Sequence, residues 1–239
     1  MGRESVEDDV KVFAVVHIND RSTPVDQAHI ALELAADGVF LISHGGGAGE
    51  VLGVLGQLRS THNDAFIGVN LLGHSSLGAM RRVHENLLRT ECFTDAVWSD
   101  DIRNDDGSPS AAMRYKVEYP ELSGVKLFGG VAFKYTVTYT DDPDTAAGEA
   151  ADLEPFVDVV TTSGPGTGVA APPRKIAAMK QVIDKPLAIA SGVDAANIGD
   201  YAGIVDCVLV ASSVETEPYS GIFHTARLSE FISVAHSVG

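Results

Sequence analysis

Pro186-Leu187-Ala188-Ile189-Ala190-Ser191-Gly192-Val193-Asp194 carries the unit from which the whole chain is built. The apolar run is too short for a helix and shows no polar alternation, so it reads as a strand buried on both faces. Ser191-Gly192 makes a small-residue corner, and Asp194 is the expected N-cap of a following helix through Ala195-Ala196-Asn197-Ile198. Working outward, similar apolar runs occupy 12–18, 38–43, 66–71, 96–99, 126–134, 157–162 and 207–211. Helical patterns separate them. Ala28, Ile30, Ala31, Leu34 and Ala35 share one face before a stop at Asp37-Gly38, and Ile176, Met179 and Ile183 follow a helix start at Pro172-Pro173. Eight strands alternating with helices in 239 residues predict an α/β fold, a single (β/α)8 TIM barrel. A doubly wound sheet would carry GxGxxG after its first strand. Here that corner is Asn19-Asp20-Arg21-Ser22, which excludes it.

Residues 1–10 read as an acidic tail and 11–239 as one barrel domain, with no linker between. Two polar stretches, 100–124 and 138–148, exceed an ordinary βα connection and are candidate lids or plain surface loops. The balance of 17 Lys+Arg against 33 Asp+Glu gives a net charge of −16. A chain this acidic is not expected to hold nucleic acid or an anionic membrane surface. No apolar run approaches the ~18 residues of a membrane span, and the start of the chain shows no secretory pattern, so a cytoplasmic protein is expected. Cys92 and Cys207 lie far apart without ligand spacing, so they are expected to remain reduced, and no structural zinc site is foreseen.

In a barrel of this kind the site forms where the strands end. That rule selects His17, Asn19, His44, Asn70, Asp100, Lys134, Ser163, Gly164, Ser191, Gly192, Ser212 and Ser213. His17 and His44 titrate near neutrality and suit proton transfer, with Asp100 as an orienting group or base. Lys134, expected to close the fifth strand, is a cation for an anionic group or a Schiff-base amine. Ser191-Gly192 and Ser212-Ser213 form a candidate phosphate corner built on backbone N–H groups, with Ser212-Ser213 adding hydroxyl donors and Gly192 allowing close approach. The plain alternative is that Gly192 only permits a tight turn. Asn19, Asn70, Ser163 and Gly164, the last in Gly164-Pro165-Gly166-Thr167-Gly168, complete the substrate-binding set. No cofactor is indicated. A divalent ion held by Asp100, Asp101 or Asp20 with His44 is the metal alternative, although a first-strand His-x-His is absent.

Phe66-Ile67-Gly68-Val69-Asn70-Leu71-Leu72-Gly73, Thr161-Thr162-Ser163-Gly164-Pro165-Gly166-Thr167-Gly168, Ser191-Gly192-Val193 with Asn197, and the run 208–213 resemble the BtpA family. His17 and Phe133-Lys134 also fit its pattern. The chain departs from it at Asn19-Asp20-Arg21-Ser22-Thr23, at Ala211-Ser212 and at Thr225-Ala226 before Arg227. The resemblance implies a ribulose-phosphate-binding type of barrel and an anionic sugar- or nucleotide-like ligand. The leading expectation is therefore an enzyme (a hydrolase, transferase or lyase) acting on a phosphorylated sugar or nucleotide-like small molecule. The competing expectation is a non-catalytic assembly or regulatory factor that retains the barrel. A metal-dependent hydrolase and a Schiff-base aldolase at Lys134 are further alternatives. A homo-oligomer is expected only because closed symmetric assemblies are common.

Overall fold

The computed structural model describes residues 9–238. Eight parallel strands close into a barrel in sequence order: β1 (Lys11–Ile18), β2 (Gly38–Ser43), β3 (Ile67–Asn70), β4 (Ala96–Ser99), β5 (Lys126–Gly130), β6 (Val159–Thr162), β7 (Leu187–Ala190) and β8 (Cys207–Val210). Seven α-helices are found among the described residues: α1 (Pro24–Glu33), α2 (Gly47–Arg59), α3 (Ser76–Thr90), α4 (Ala112–Glu118), α5 (Pro143–Leu153), α6 (Pro173–Lys180) and α7 (Thr225–Ser237). The fold is a TIM barrel, and no described helix is long and apolar enough to cross a membrane.

Four details differ from the sequence reading. The fifth strand stops at Gly130, because Gly130 lies against the Asp100 backbone and Ala132 then turns to φ 45°. Lys134 therefore sits in a turn beyond the strand. Helix α1 ends at Glu33, and Ala35 is left-handed at φ 67° and exposed. The helix expected after Asp194 is only a 3-10 turn, Ile198–Tyr201. The two long stretches are partly helical, since α4 and a 3-10 turn (Pro120–Leu122) occupy the first and α5 begins within the second. Cys92 and Cys207 are free.

Strand alternation divides the apolar residues into two layers. Val12, Val39, Leu41, Val69, Val97, Leu127 and Val160 face the helices. Phe13, Phe40, Trp98, Phe128, Ala190 and Leu209 fill the barrel. Phe40 packs edge-on against Phe13, Phe128 and Trp98, with ring centroids 5.0–6.0 Å apart. Gly68 is required here, since a Cβ would lie 2.2 Å from the Phe40 ring. The large rings come from β1, β2, β4 and β5, whereas β7 supplies Ala188 and Ala190. The space left above the rings is therefore displaced toward β7 and β8.

At the opposite end of the barrel one arrangement recurs four times. Asp37, Asp95, Asp158 and Asp206 each precede an even-numbered strand. Each accepts a hydrogen bond from a backbone N–H of the preceding odd strand: Val12 (2.8 Å), Ile67 (2.7 Å), Leu127 (2.7 Å) and Leu187 (2.7 Å). Each aspartate N–H donates in return to the carbonyl of that same residue. A basic side chain from the helix before the odd strand completes each knot: His236, Arg59, Lys116 and Lys180, where α7 precedes β1 around the closed ring. The barrel is thus stitched as four strand–helix–strand quarters.

Candidate functional site

A cavity of about 410 Å³ opens at the C-terminal end of the barrel. Its wall includes His17, His44, Asp100, Lys134, Ser191, Gly192, Ser212 and Ser213, which come from both halves of the sequence. The other four sequence candidates stand behind that wall. Asn70 is buried and donates to Asp100 Oδ1 at 2.9 Å. Ser163 is buried, and its hydroxyl accepts the Lys134 N–H at 2.8 Å. A Cβ at Gly164 would lie 2.2 Å from the Val169 carbonyl oxygen, so this glycine lets the β6 loop fold back on itself. Asn19 lines a neighbouring cleft and donates to the Ser220 carbonyl at 3.3 Å, tying the β8 loop to β1.

His17 has a partner that the sequence reading missed. Its Nδ1 lies 2.8 Å from Oε1 of Glu215, a fully buried carboxylate in the β8 loop. A carboxylate only accepts, so Nδ1 carries the proton and Nε2 is the nitrogen left for a ligand. The other carboxylate oxygen, Oε2, is buried without a partner among the described residues. Nothing in Val214-Glu215-Thr216 marks this residue, because its meaning depends on a contact 198 residues away. The His44 ring centroid is 5.4 Å from that of His17. Trp98 also lines the cavity, and its Nε1–H is buried with no acceptor among the described residues.

The charged groups are displaced toward their neutral forms. Burial pushes the Asp100 carboxyl up, opposed by the Asn70 hydrogen bond and by Lys134 and His44. Burial pushes the Lys134 amine down, opposed by Asp100 and Tyr135. His44 is held below the usual imidazole value by burial first, then by His17 and Lys134, with Asp100 pulling the other way. Desolvation acting on several groups in one cleft is typical of a functional site. Among the described residues no three His, Cys, Asp or Glu side chains are gathered to hold a metal ion.

At the β7 and β8 corners the Ser191 and Ser213 hydroxyls are engaged, whereas the Ser212 hydroxyl bonds to no other group among the described residues. The Ser191 hydroxyl accepts from Gly168 N–H at 3.0 Å and donates to the Gly166 carbonyl at 3.3 Å. The Ser213 hydroxyl donates to the Val193 carbonyl at 2.7 Å. By contrast, the backbone N–H groups of Gly192, Val193, Ser212 and Ser213 donate to no other group among the described residues. Gly192 sits at φ 75°, and a Cβ there would lie 2.2 Å from the Val169 carbonyl carbon. Its missing side chain therefore makes room for the β6 loop.

The model of the family described as BtpA matches residues 54–237, from α2 into α7. The chain belongs to the BtpA family. This BtpA-family match leaves β1 and β2, with His17 and His44, outside the matched span. No curated protein matches the chain. Among solved structures, thiamine phosphate pyrophosphorylase from Pyrococcus furiosus is 14% identical with a TM-score of 0.66, over 98% of each chain. N-(5'-phosphoribosyl)anthranilate isomerase from Pyrococcus furiosus is 17% identical with a TM-score of 0.65, over 96% of this chain and all of that one. (S)-3-O-geranylgeranylglyceryl phosphate synthase from Thermoplasma acidophilum, in complex with sn-glycerol-1-phosphate, is 13% identical with a TM-score of 0.63, over 96% and 94%. At these identities the likeness is one of fold.

Proposed function

We propose that this barrel is an enzyme for a phosphorylated small molecule, with the phosphate at the β7/β8 corner and proton transfer by His17. The observation that carries the reading is the set of four unengaged N–H groups, on Gly192, Val193, Ser212 and Ser213, residues that line the same cavity as His17 of the His17–Glu215 pair. Converging backbone donors suit a phosphate, because they point at its oxygens without a counter-charge of their own. Lys134 supplies the cation. In the free protein its charge is held at a desolvation cost that an anion relieves. Glu215 fixes the His17 tautomer and balances the imidazolium formed when Nε2 takes a proton, while Asp100, oriented by Asn70, is a second proton acceptor. Solved structures of similar fold add support, since they include a phosphoribosylanthranilate isomerase and a synthase holding its substrate sn-glycerol-1-phosphate.

The test uses Trp98, the only tryptophan in the chain, as a reporter inside the cavity. Titration with ribose 5-phosphate should change its fluorescence saturably. Ser212→Asp puts a carboxylate at the corner, where repulsion of about 4 kcal/mol between charges ~4 Å apart is expected at an effective dielectric near 20. Binding should weaken at least ~100-fold. An unchanged affinity in Ser212→Asp would remove the phosphate from this corner.

Binding should also draw in protons. Near pH 6.5 the imidazole of His44 is mostly neutral in the free protein, because its folded-state value lies below the ordinary one. An anion in the cavity favours the imidazolium, so the value rises and a fraction of a proton is taken up. Calorimetric titration in buffers of different ionisation heat measures that fraction. Proton release, or uptake that persists in His44→Asn, contradicts the assignment.

A further inference from the structure

Tyr135 and Tyr219 both line the cavity, from loops far apart in the chain, and both remain largely exposed, at 77% and 53%. Both also take a left-handed backbone, at φ 66° and 63°, which costs energy for a bulky side chain. Neither ring is loose. The Tyr135 hydroxyl accepts the Thr167 N–H at 3.1 Å and lies 3.3 Å from the Thr167 hydroxyl. Thr167 in turn accepts from Lys134 Nζ at 3.3 Å, which links that ring to the cavity's cation. Tyr219 is held against His17, with ring centroids 6.4 Å apart. Its loop is pressed onto β1, because Asn19 donates to the Ser220 carbonyl and Gly221, at φ 68°, packs against the His17 carbonyl and the Asn19 and Ser22 side chains. Strained, exposed aromatic rings held at the walls of one cavity are unfavourable for folding alone and are explained by a planar ligand group that covers them.

We infer that Tyr135 and Tyr219 form a stacking subsite for a planar heteroaromatic ring, so that the ligand is a nucleoside monophosphate rather than a bare sugar phosphate. The inference rests on the phosphate reading above and adds the other end of the molecule. Stacking on tyrosine is tolerant of base identity, since every base has a π-face. The cavity, about 410 Å³, falls in the range that encloses a drug-sized ligand and exceeds what a pentose phosphate fills. Pyrimidine and purine monophosphates should therefore bind alike.

Isothermal titration of the full chain with adenosine 5'-monophosphate, uridine 5'-monophosphate and ribose 5-phosphate tests this. Both nucleotides should bind at least ~10-fold more tightly than ribose 5-phosphate. The double variant Tyr135→Ala with Tyr219→Ala should bring all three ligands to within about twofold of one another. Tyr135→Phe with Tyr219→Phe, which keeps both rings, should retain most of the preference. Equal affinity of the wild type for all three ligands overturns the stacking subsite while leaving the phosphate site standing. A nucleotide preference that survives the alanine variants overturns it as well. If none of the three binds, the phosphate reading falls and this inference falls with it.

Discussion

Asp95→Ala is expected to destabilise the protein by about 3–5 kcal/mol, the cost typical of removing one partner from a buried ion pair. The Asp95 carboxylate accepts from Ile67 N–H at 2.7 Å and pairs with the Arg59 guanidinium, whose side chain is only 6% exposed. With Asp95 gone, Arg59 keeps its bonds to the carbonyls of Phe93, His62, Asn63 and Ala65, but its charge stays buried without a counter-ion. The fourfold repeat makes this a graded series. The pair Lys116–Asp158 is as buried, whereas the side chains of Lys180–Asp206 and His236–Asp37 are 31–44% exposed. Solvent screens exposed pairs to about 0–1 kcal/mol, so Asp206→Ala and Asp37→Ala should lose mainly the backbone bond. Urea denaturation of the four alanine variants should rank the losses Asp95, Asp158, then Asp206 and Asp37 together. Equal losses at all four positions would mean that the backbone bond alone governs and that the buried cations add nothing.

The barrel was legible because each strand is a short, continuously apolar run and a closed parallel sheet buries both faces of such a run. The same signal misled where burial and strand pairing part company. Val131, Ala132 and Phe133 are as buried as any strand residue, yet they lie in the turn after β5. The helix expected after Asp194 lost to local side-chain bonds: the Asp194 carboxylate accepts from Ala196 and Asn197 N–H, and the Asn197 side chain bonds to Asp194 N–H and the Gly192 carbonyl. At the candidate site, strand-end position identified His17, His44, Asp100 and Lys134, and all four line the cavity. Position alone could not separate these from Asn70 or Ser163, whose side chains serve a neighbour. Glu215, Tyr135 and Tyr219 were out of reach, since each reaches His17 or the cavity from a loop whose path depends on the assembled barrel. The four aspartate knots were written in the sequence as Asp37-Gly38-Val39, Asp95-Ala96-Val97, Asp158-Val159-Val160 and Asp206-Cys207-Val208. Their meaning appears only once strand neighbours are known.

Gly192→Ala is the second variant expected to act strongly, and its effect separates packing from binding. At φ 75° an alanine is strained by about 1–3 kcal/mol. Its Cβ would also fall 2.2–2.4 Å from backbone atoms of Val169 and Ala170, and a backbone contact cannot rotate away as a side chain can. Adding about 1–3 kcal/mol for overpacking gives a loss of roughly 2–6 kcal/mol and a melting temperature lower by on the order of 10 °C. The β6 loop must shift to relieve the overlap, which carries Gly168 and Thr167 away from Ser191 and Tyr135 and disturbs the corner amides. Gly192→Ala should therefore lose both stability and affinity for ribose 5-phosphate, whereas Ser212→Asp should lose affinity alone, because Ser212 is only partly buried and its hydroxyl holds no neighbour. Thermal melts and fluorescence titrations of the two variants side by side decide the matter. A Gly192→Ala protein that melts with the wild type shows that the β6 loop does not press on this corner, and the room made there by the missing Cβ would then belong to the ligand.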